Sequence, residues 1–296
     1  MKLSIGPIPY FWPRQAVLDF YRDIADGAAE IVYLGEVVCS KRRLLDPDDW
    51  LSLGHELREA GKDVVLSSLT LIEAASELGA LRRLCEQQHF TVEANDLAAV
   101  QLLAEAGRRF VTGPAVNIYN HRSLALLAGK GMFRWVLPVE LGLENLAELQ
   151  AHRPSGVQTE VFAFGRLPLA YSARCYTARS HNLPKDDCLF KCQEHADGRL
   201  LSTREGQPFL VLNGIQTQSA LSHQALDRVD ELAALGADVL RISPQSSHTP
   251  RIVELFHRVR SDGYTAGLGE ELCDLVPLGA CNGYLINQPG MDHGTA

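Results

Sequence analysis

The sequence predicts an α/β protein built as a TIM-like (β/α)8 barrel, regular or irregular, that carries a cysteine-bearing insertion loop. Short apolar runs typical of strands alternate with stretches of helical spacing roughly every 25–35 residues, which favours parallel strands joined by helical crossovers. A chain of 296 residues accommodates about eight such units. A doubly wound open sheet is the alternative. The glycine fingerprint of a dinucleotide fold is absent after the first predicted strand, where the chain continues Gly6-Pro7-Ile8-Pro9-Tyr10.

The apolar runs predicted as strands are, in chain order, Lys2–Gly6, Glu30–Val38, Asp63–Ser67, Phe90–Glu93, Phe110–Thr112, Phe133–Pro138, Thr159–Phe164, Pro208–Leu212 and Val239–Ile242. Apolar residues at three- and four-residue intervals predict helices over Ala16–Ala25, Trp50–Ala60, Ile72–Glu86, Leu143–Ala151 and Ala225–Leu235. No repeat or linker interrupts the pattern. We therefore predict one barrel domain over residues 1–296, with a cluster-binding loop at about 167–207.

Charge and hydropathy exclude several classes of partner. The formal net charge of −8 disfavours nucleic acid and anionic membrane surfaces, because both would repel the protein. The segment Met1–Pro7 lacks the apolar core of a signal peptide, and no run approaches the ~18 apolar residues of a membrane span. We expect a cytoplasmic protein with no membrane span and no nucleic-acid partner.

The alternation of strands and helices breaks once, between Leu167 and about Gln207, and three of the seven cysteines fall in this segment. Segments of that length without secondary structure usually have a function or a ligand that orders them. The three are Cys175, Cys188 and Cys192, and a fourth, Cys39, closes the predicted strand Glu30–Val38. In a barrel, the loops after strands two and seven open at the same face, so the four thiols can meet.

Four thiolates can hold a cubane iron–sulfur cluster or a structural zinc ion. Zinc sites usually show two close pairs of cysteines, and here only Cys188 and Cys192 are close, which makes zinc the less natural alternative. Scattered buried cysteines are the other alternative. Cys175 and Cys188, however, flank the polar stretch 178–187, whereas core cysteines sit in apolar segments. Cys85, Cys273 and Cys281 are predicted not to be ligands.

Outside the cysteines, the sequence offers few candidates for catalytic or binding chemistry. The sequence contains no Gly-x-Ser-x-Gly elbow, no P-loop and no His-Glu-x-x-His motif, so it predicts no catalytic residues. His181 and His195 lie nearest the cysteines and are interpreted as solvated loop histidines. Polar residues near strand ends could face a ligand or could equally be capping or supporting residues; they are Asn117, Asn120, Glu140, Glu160 and Arg241.

Several of these segments resemble the collagenase-like peptidase family. The matching stretches are Asn117-Ile118-Tyr119-Asn120, Leu137-Pro138-Val139-Glu140-Leu141, Glu160-Val161-Phe162, Tyr171-Ser172-Ala173-Arg174-Cys175 and Cys188-Leu189-Phe190-Lys191-Cys192. The segment Tyr33–Arg43 and the compact length are similar to a short family member that acts in oxygen-independent ubiquinone biosynthesis.

This resemblance implies a [4Fe–4S] cluster on Cys39, Cys175, Cys188 and Cys192, and a heterodimer with a UbiU-like protein of the same family. It also implies hydroxylation of a prenylated aromatic substrate without molecular oxygen, with a lipid-binding accessory protein as a further partner. Two alternatives stay open: a peptidase with an unrecognised site, and a non-catalytic partner protein in which zinc orders the cysteine loop.

Overall fold

The computed structural model describes residues 1–294. A closed barrel of eight parallel strands forms the centre of the fold. Its strands are β1 (Lys2–Ile5), β2 (Ile31–Leu34), β3 (Asp63–Ser67), β4 (Thr91–Ala94), β5 (Phe110–Thr112), β6 (Met132–Val136), β7 (Gln158–Tyr171) and β11 (Val239–Ile242). Strand β11 pairs in parallel with both β1 and β7, and these two pairings close the barrel. The predicted TIM-like barrel is confirmed.

Helices cover the outer face of the barrel. They are α1 (Arg14–Ala25), α2 (Pro47–Glu59), α3 (Ala75–Glu86), α4 (Leu97–Glu105), α5 (His121–Gly129), α6 (Leu143–Ala151), α8 (Val229–Ala234), α9 (Thr249–Asp262) and α10 (Ala266–Asp274). The short α7 (Tyr176–Ser180) belongs instead to the segment that follows β7. Each of α1 to α6 follows the strand of the same number, and α8 leads into β11. The main core lies between these helices and the sheet, because one stripe of each helix is apolar; in α1 the stripe includes Phe20 and Ile24.

An antiparallel extension leaves the barrel between β7 and α8. It consists of β8 (Arg199–Ser202), β9 (Pro208–Asn213) and β10 (Gln216–Gln224) in the order β7-β10-β9-β8, and the short β12 (Ala280–Cys281) pairs with β10. The predicted strand Pro208–Leu212 therefore exists, but its expected place among parallel strands is wrong. From Leu210 to Asn213, half-buried and buried residues alternate, which is typical of an antiparallel strand with one partly solvated face.

Strand β7 changes partner along its length. Up to Phe164 it belongs to the barrel, and from there to Tyr171 it pairs only with β10. Gly165 lies at this point with a φ of 123°, and a Cβ added to it would lie 2.6 Å from the Cβ of Ser243. Only glycine fits such a backbone and such a close approach. The long strand thus carries the chain out of the barrel at its carboxyl end, directly before Cys175.

Candidate functional site

The inside of the barrel holds a buried ionic network around Arg241. Its guanidinium group donates from Nε to Glu160 Oε1 at 2.8 Å and from Nη1 to Glu93 Oε1 at 2.7 Å. Ser4 and Tyr33 each donate a hydroxyl hydrogen bond to Glu160 at 2.6 Å. Burial alone would raise the pKa of Glu160, but the neighbouring guanidinium groups outweigh it and hold that pKa below its usual range. Glu160 is therefore a satisfied structural carboxylate.

Arg241 also reaches the mouth of the barrel. It lines a cavity of about 50 Å³ at the carboxyl ends of the strands, together with Arg166, Tyr171 and Gln218. A second cavity of about 380 Å³ shares Tyr171 with the first, and polar side chains form much of its wall. Active sites of parallel barrels are built at this face. The two adjoining cavities are the candidate substrate site.

The larger of these cavities contains two of the predicted site residues, Asn117 and Glu140. Tyr119 donates its hydroxyl hydrogen bond to Glu140 Oε2 at 2.8 Å, and burial together with this carboxylate raises the pKa of Tyr119 to about 12. Asn120 has a different place. Its Oδ1 accepts hydrogen bonds from the backbone N–H groups of Arg122 and Ser123, so it is the N-cap of α5.

A third cavity, of about 490 Å³ and mainly apolar, lies outside the barrel between α2 and α3. Trp50, Leu51 and Leu84 form part of its wall, and it extends to Gly35 and Glu36 after the end of β2. Because Cys39 follows three residues later, this apolar space adjoins the segment that presents the first predicted cysteine ligand.

The four predicted cysteines lie together at the carboxyl end of the barrel. Cys39 and Cys175 contact the same buried apolar cluster of Val37, Val38 and Ile215. Their thiols are close enough to interact electrostatically, and the Cys192 thiol interacts in the same way with those of Cys175 and Cys188. The loop after β2 and the segment after β7 thus meet.

Local hydrogen bonds hold the first two of these cysteines. The Glu36 carboxylate accepts the backbone N–H groups of Val38 and Cys39 at 2.8 and 3.0 Å, which fixes the turn after β2. Cys175 is the N-cap of α7, and its Sγ accepts the backbone N–H of Ala178 at 3.4 Å. Backbone N–H groups directed at a cysteine sulfur stabilise its thiolate form and its metal complexes.

Cys188 is the C-cap of the 3₁₀ turn Lys185–Asp187, and Cys192 lies within the next 3₁₀ turn, Lys191–Glu194. The two residues between the turns, Leu189 and Phe190, both have a φ of 50°. Left-handed backbone at residues with a Cβ costs about 1–2 kcal/mol each, and such strain is found where a ligand or a functional constraint holds the chain.

Arg42 is the buried charge beside the cysteines. Its guanidinium donates to Pro9 O and Asn213 Oδ1, both at 2.8 Å, while its Nε is shielded from water and has no partner in the described residues. Burial raises the pKa of the Cys192 thiol, and the adjacent Arg42 charge opposes that rise. An unsatisfied buried donor next to thiols fits an anionic ligand that contains sulfur acceptors.

The spacing of the thiols is wider than a zinc site needs. With zinc–sulfur bonds of about 2.3 Å, a tetrahedral site holds its sulfurs about 3.8 Å apart. Within residues 1–294, no set of three ligand atoms lying within 4.8 Å of one another includes a cysteine. A four-iron cube binds one thiolate at each of four separated corners. The four thiols are therefore not gathered at the spacing of a single tetrahedral ion.

The sequence profile of peptidase family U32 matches residues 17–294, nearly the whole chain. The chain belongs to peptidase family U32. The predicted family resemblance is thereby confirmed, and the matched range includes the loop after β2, the cysteine segment and the larger mouth cavity of this U32 member.

Solved structures similar to the U32 chain include the U32 peptidase Mk0906, with 11% identity over 83% of this chain and 93% of that one, at a TM-score of 0.45. A truncated 3-deoxy-D-arabino-heptulosonate 7-phosphate synthase from Thermotoga maritima has 9% identity over 92% and 87%, at 0.46. Dihydropteroate synthase from Thermus thermophilus has 12% identity over 87% and 94%, at 0.42. At these identities the similarity concerns the fold alone.

Among the described residues of this U32 member, no helix has both the length and the apolar character needed to cross a membrane.

The interpretation of His181 and His195 as solvated loop histidines is wrong, because both rings are half-buried and their Nε2 atoms are shielded from water.

Sequence reasoning missed Arg42, Arg166, Tyr171 and Gln218 as site residues. Arg42 belongs to the basic run Lys41-Arg42-Arg43, which has the pattern of a solvated surface, and only the fold shows that the middle residue turns inward. Lys41 instead bridges two loops by donating to Lys185 O at 2.9 Å and to Asp186 at 3.1 Å. Tyr171 begins the family-matching stretch Tyr171–Cys175 but was not singled out as a site residue, and no motif marks Arg166 or Gln218.

Proposed function

We propose that this U32 member holds a [4Fe–4S] cluster on Cys39, Cys175, Cys188 and Cys192. We further propose that it acts, like UbiV, as one subunit of a heterodimer with a UbiU-like protein, in the cytoplasm. The heterodimer hydroxylates the prenylated aromatic precursor of ubiquinone without molecular oxygen. The similarity of Tyr33–Arg43 to UbiV supports this choice within the family.

One observation carries the proposal: four thiols from two distant segments meet at the carboxyl end of the barrel, next to its mouth. Val37 lines the mouth cavity and also belongs to the apolar cluster that Cys39 and Cys175 contact. Ligand and substrate would then be close neighbours. When bound, the cluster would supply either one-electron transfer or a Lewis-acidic iron; hydroxylation without molecular oxygen removes two electrons from the ring and takes the oxygen atom from another donor.

The residues around the cysteines have defined tasks under this proposal. Arg42 compensates the negative charge that four thiolates bring into a partly buried site, and its free Nε donates to a sulfur acceptor. Ala178 contributes a backbone N–H to Cys175 Sγ. Both donors stabilise the reduced, more negative state of the site. The ring of Phe190, between Cys188 and Cys192 in the chain, packs on Phe11 with the ring centroids 5.7 Å apart.

The cavities suggest how a prenylated aromatic molecule would bind. The mouth cavities offer polar side chains such as Asn117, Tyr119 and Glu140 to an aromatic head group with hydroxyl substituents. The apolar cavity between α2 and α3 offers space for part of a prenyl chain. A lipid-binding accessory protein would deliver this substrate, because a polyprenyl chain exceeds what 490 Å³ can enclose.

Iron and acid-labile sulfide in anaerobically purified protein test the cluster. We expect a brown protein whose visible absorbance dithionite bleaches, and iron loss when any one of the four cysteines is replaced by alanine. Cys85→Ala is the matched control, because Cys85 is buried on α3 away from the site and should leave iron unchanged. Wild-type iron in two of the four single variants would contradict the ligand set. A colourless protein with zinc, or one that cleaves peptides, would support the alternatives.

Co-expression with a UbiU-like protein tests the partner. The two chains should elute together from a sizing column, and loss of either gene should stop ubiquinone synthesis only when oxygen is absent. Hydroxylation by this chain alone, or an equal defect with oxygen present, would contradict the heterodimeric anaerobic role while leaving the cluster assignment intact.

A further inference from the structure

A second group of possible metal ligands lies beside the cysteine segment. One imidazole nitrogen of His181, one of His195 and a carboxylate oxygen of Glu194 lie within 4.8 Å of one another. The two imidazole rings are tilted against each other, with their centroids 6.0 Å apart. His181 is the C-cap of α7, and His195 is the C-cap of the second 3₁₀ turn. Two separate elements thus contribute the three side chains.

The hydrogen bonding of these histidines is incomplete. The Nε2 atoms of both rings are shielded from water, and neither has a hydrogen-bond partner in the described part of the chain. Buried polar atoms are almost always paired, and an unpaired one is costly. In the tautomer protonated on Nδ1, each ring leaves a lone pair on Nε2, and the two lone pairs and the adjacent carboxylate can share one electron-pair acceptor. A metal ion is such an acceptor for both rings at once.

The chemistry of the ligands selects the kind of ion. Two imidazoles and one carboxylate suit divalent zinc, iron or cobalt, whereas magnesium and calcium prefer sites made of oxygen alone. The neighbouring charges favour the same class: Arg199 lies near His195, and Lys191 pairs with Glu194 at 2.5 Å. A hard cation held only by charge would be repelled by these two cations. An ion held through imidazole nitrogen bonds is less affected.

We propose that His181, His195 and Glu194 form a separate binding site for a divalent transition-metal ion, with a fourth position open to water beside the exposed Glu194. The ion joins the end of α7 to the end of the second 3₁₀ turn, and so closes the segment that contains Cys188 and Cys192. Closing a loop in the folded state favours its ordered conformation. The site therefore acts as a staple that holds the cysteine loop, whether or not those cysteines bind a cluster.

Zinc titration of the purified full-length chain, followed by X-ray absorption spectroscopy, tests the site. We expect bound zinc with nitrogen and oxygen ligands at about 2.0–2.1 Å, distinct from zinc–sulfur bonds at about 2.3 Å. His181→Ala, His195→Ala and Glu194→Gln should each weaken zinc binding by about 10-fold or more. His152→Ala is the control, because His152 also stacks on a second histidine, His121, at 4.7 Å but belongs to no such group.

Trypsin digestion gives a second measurement. Zinc should slow cleavage after Lys185 and Lys191 in the wild type, and should not slow it in Glu194→Gln, whose exposed substitution leaves folding intact. Magnesium should protect neither protein. If zinc affinity is unchanged in both single variants, Glu194→Gln and His195→Ala, the proposal is overturned. A first shell made only of sulfur would also overturn it, because the ion would then sit on the cysteines.

Discussion

Acidification is expected to destabilise the protein through His223. This residue lies on β10 with 3% of its surface exposed, and its Nδ1 has no hydrogen-bond partner in the described residues. Burial lowers the pKa of His223 from its ordinary 6.5 to about 4, despite an opposing hydrogen bond to the backbone of Phe162. The folded chain therefore keeps this imidazole neutral at pH values at which the unfolded chain binds a proton.

The sign and size of the effect follow from that difference. Because the folded-state pKa is depressed, the contribution of His223 is fully present above pH 6.5 and is lost as the pH falls toward 4. With pKa values of about 6.5 unfolded and about 4 folded, the loss between pH 7.5 and pH 5.5 is about 1.4 kcal/mol. Near pH 4 it reaches about 3 kcal/mol.

Urea unfolding at pH 7.5 and pH 5.5 measures this term. His223→Gln keeps a hydrogen-bond donor for the Phe162 carbonyl but cannot titrate, so the wild type should lose about 1.4 kcal/mol more than the variant on acidification. The exposed His152→Ala should behave like the wild type. Equal losses in the wild type and His223→Gln would refute the reasoning, because some other group would then carry the pH dependence.

Three further predictions concern the site. Arg241→Met should lower the free energy of unfolding in urea by about 3–5 kcal/mol, because two buried carboxylates lose their counter-charge. Adding Glu160→Gln should restore part of that free energy, and a loss below about 1 kcal/mol in Arg241→Met would contradict the prediction. Arg42→Met should purify with less iron than Arg42→Lys, which keeps the charge, and equal iron would show that the charge is not needed. Ala80→Trp should fill part of the apolar cavity and reduce anaerobic ubiquinone synthesis while leaving iron content unchanged; unchanged synthesis would place the prenyl chain elsewhere.

The barrel could be predicted from the sequence because its strands are buried on both faces and its helices on one. Both patterns are local, so they can be recognised in the sequence without knowing which strands and helices pack together. Helix α9 has the same apolar spacing, at Ile252, Phe256 and Val259, and could have been predicted from it. Helices α4 and α5 are harder to predict from apolar spacing, because some of their leucines face solvent: Leu97 and Leu126 are 66% and 64% exposed.

The antiparallel extension could not be predicted in the same way. An apolar run such as Phe209-Leu210-Val211-Leu212 is compatible with a barrel strand and with a hairpin, and only its pairing partners decide between them. The cysteines were easier, because their residue type and their polar surroundings already distinguish them from core positions. Their meeting depends on the barrel, which brings the loop after β2 and the segment after β7 to one face.

Hydrogen bonding distinguishes the buried Glu160 carboxylate from the polar residues beside the cysteines. Glu160 stands in a matched segment and is buried, yet hydroxyl and guanidinium donors satisfy it fully within the barrel. Arg42, His181 and His195 are inconspicuous in the sequence, yet each keeps a buried nitrogen without a partner among the described residues. All three flank the segment that bears the cysteines. Within residues 1–294, His223 and Arg241 also keep an unpaired buried nitrogen inside the fold, so such an atom does not by itself identify a ligand site. Beside the cysteines it supports one, because three such nitrogens there adjoin groups that can bind a metal.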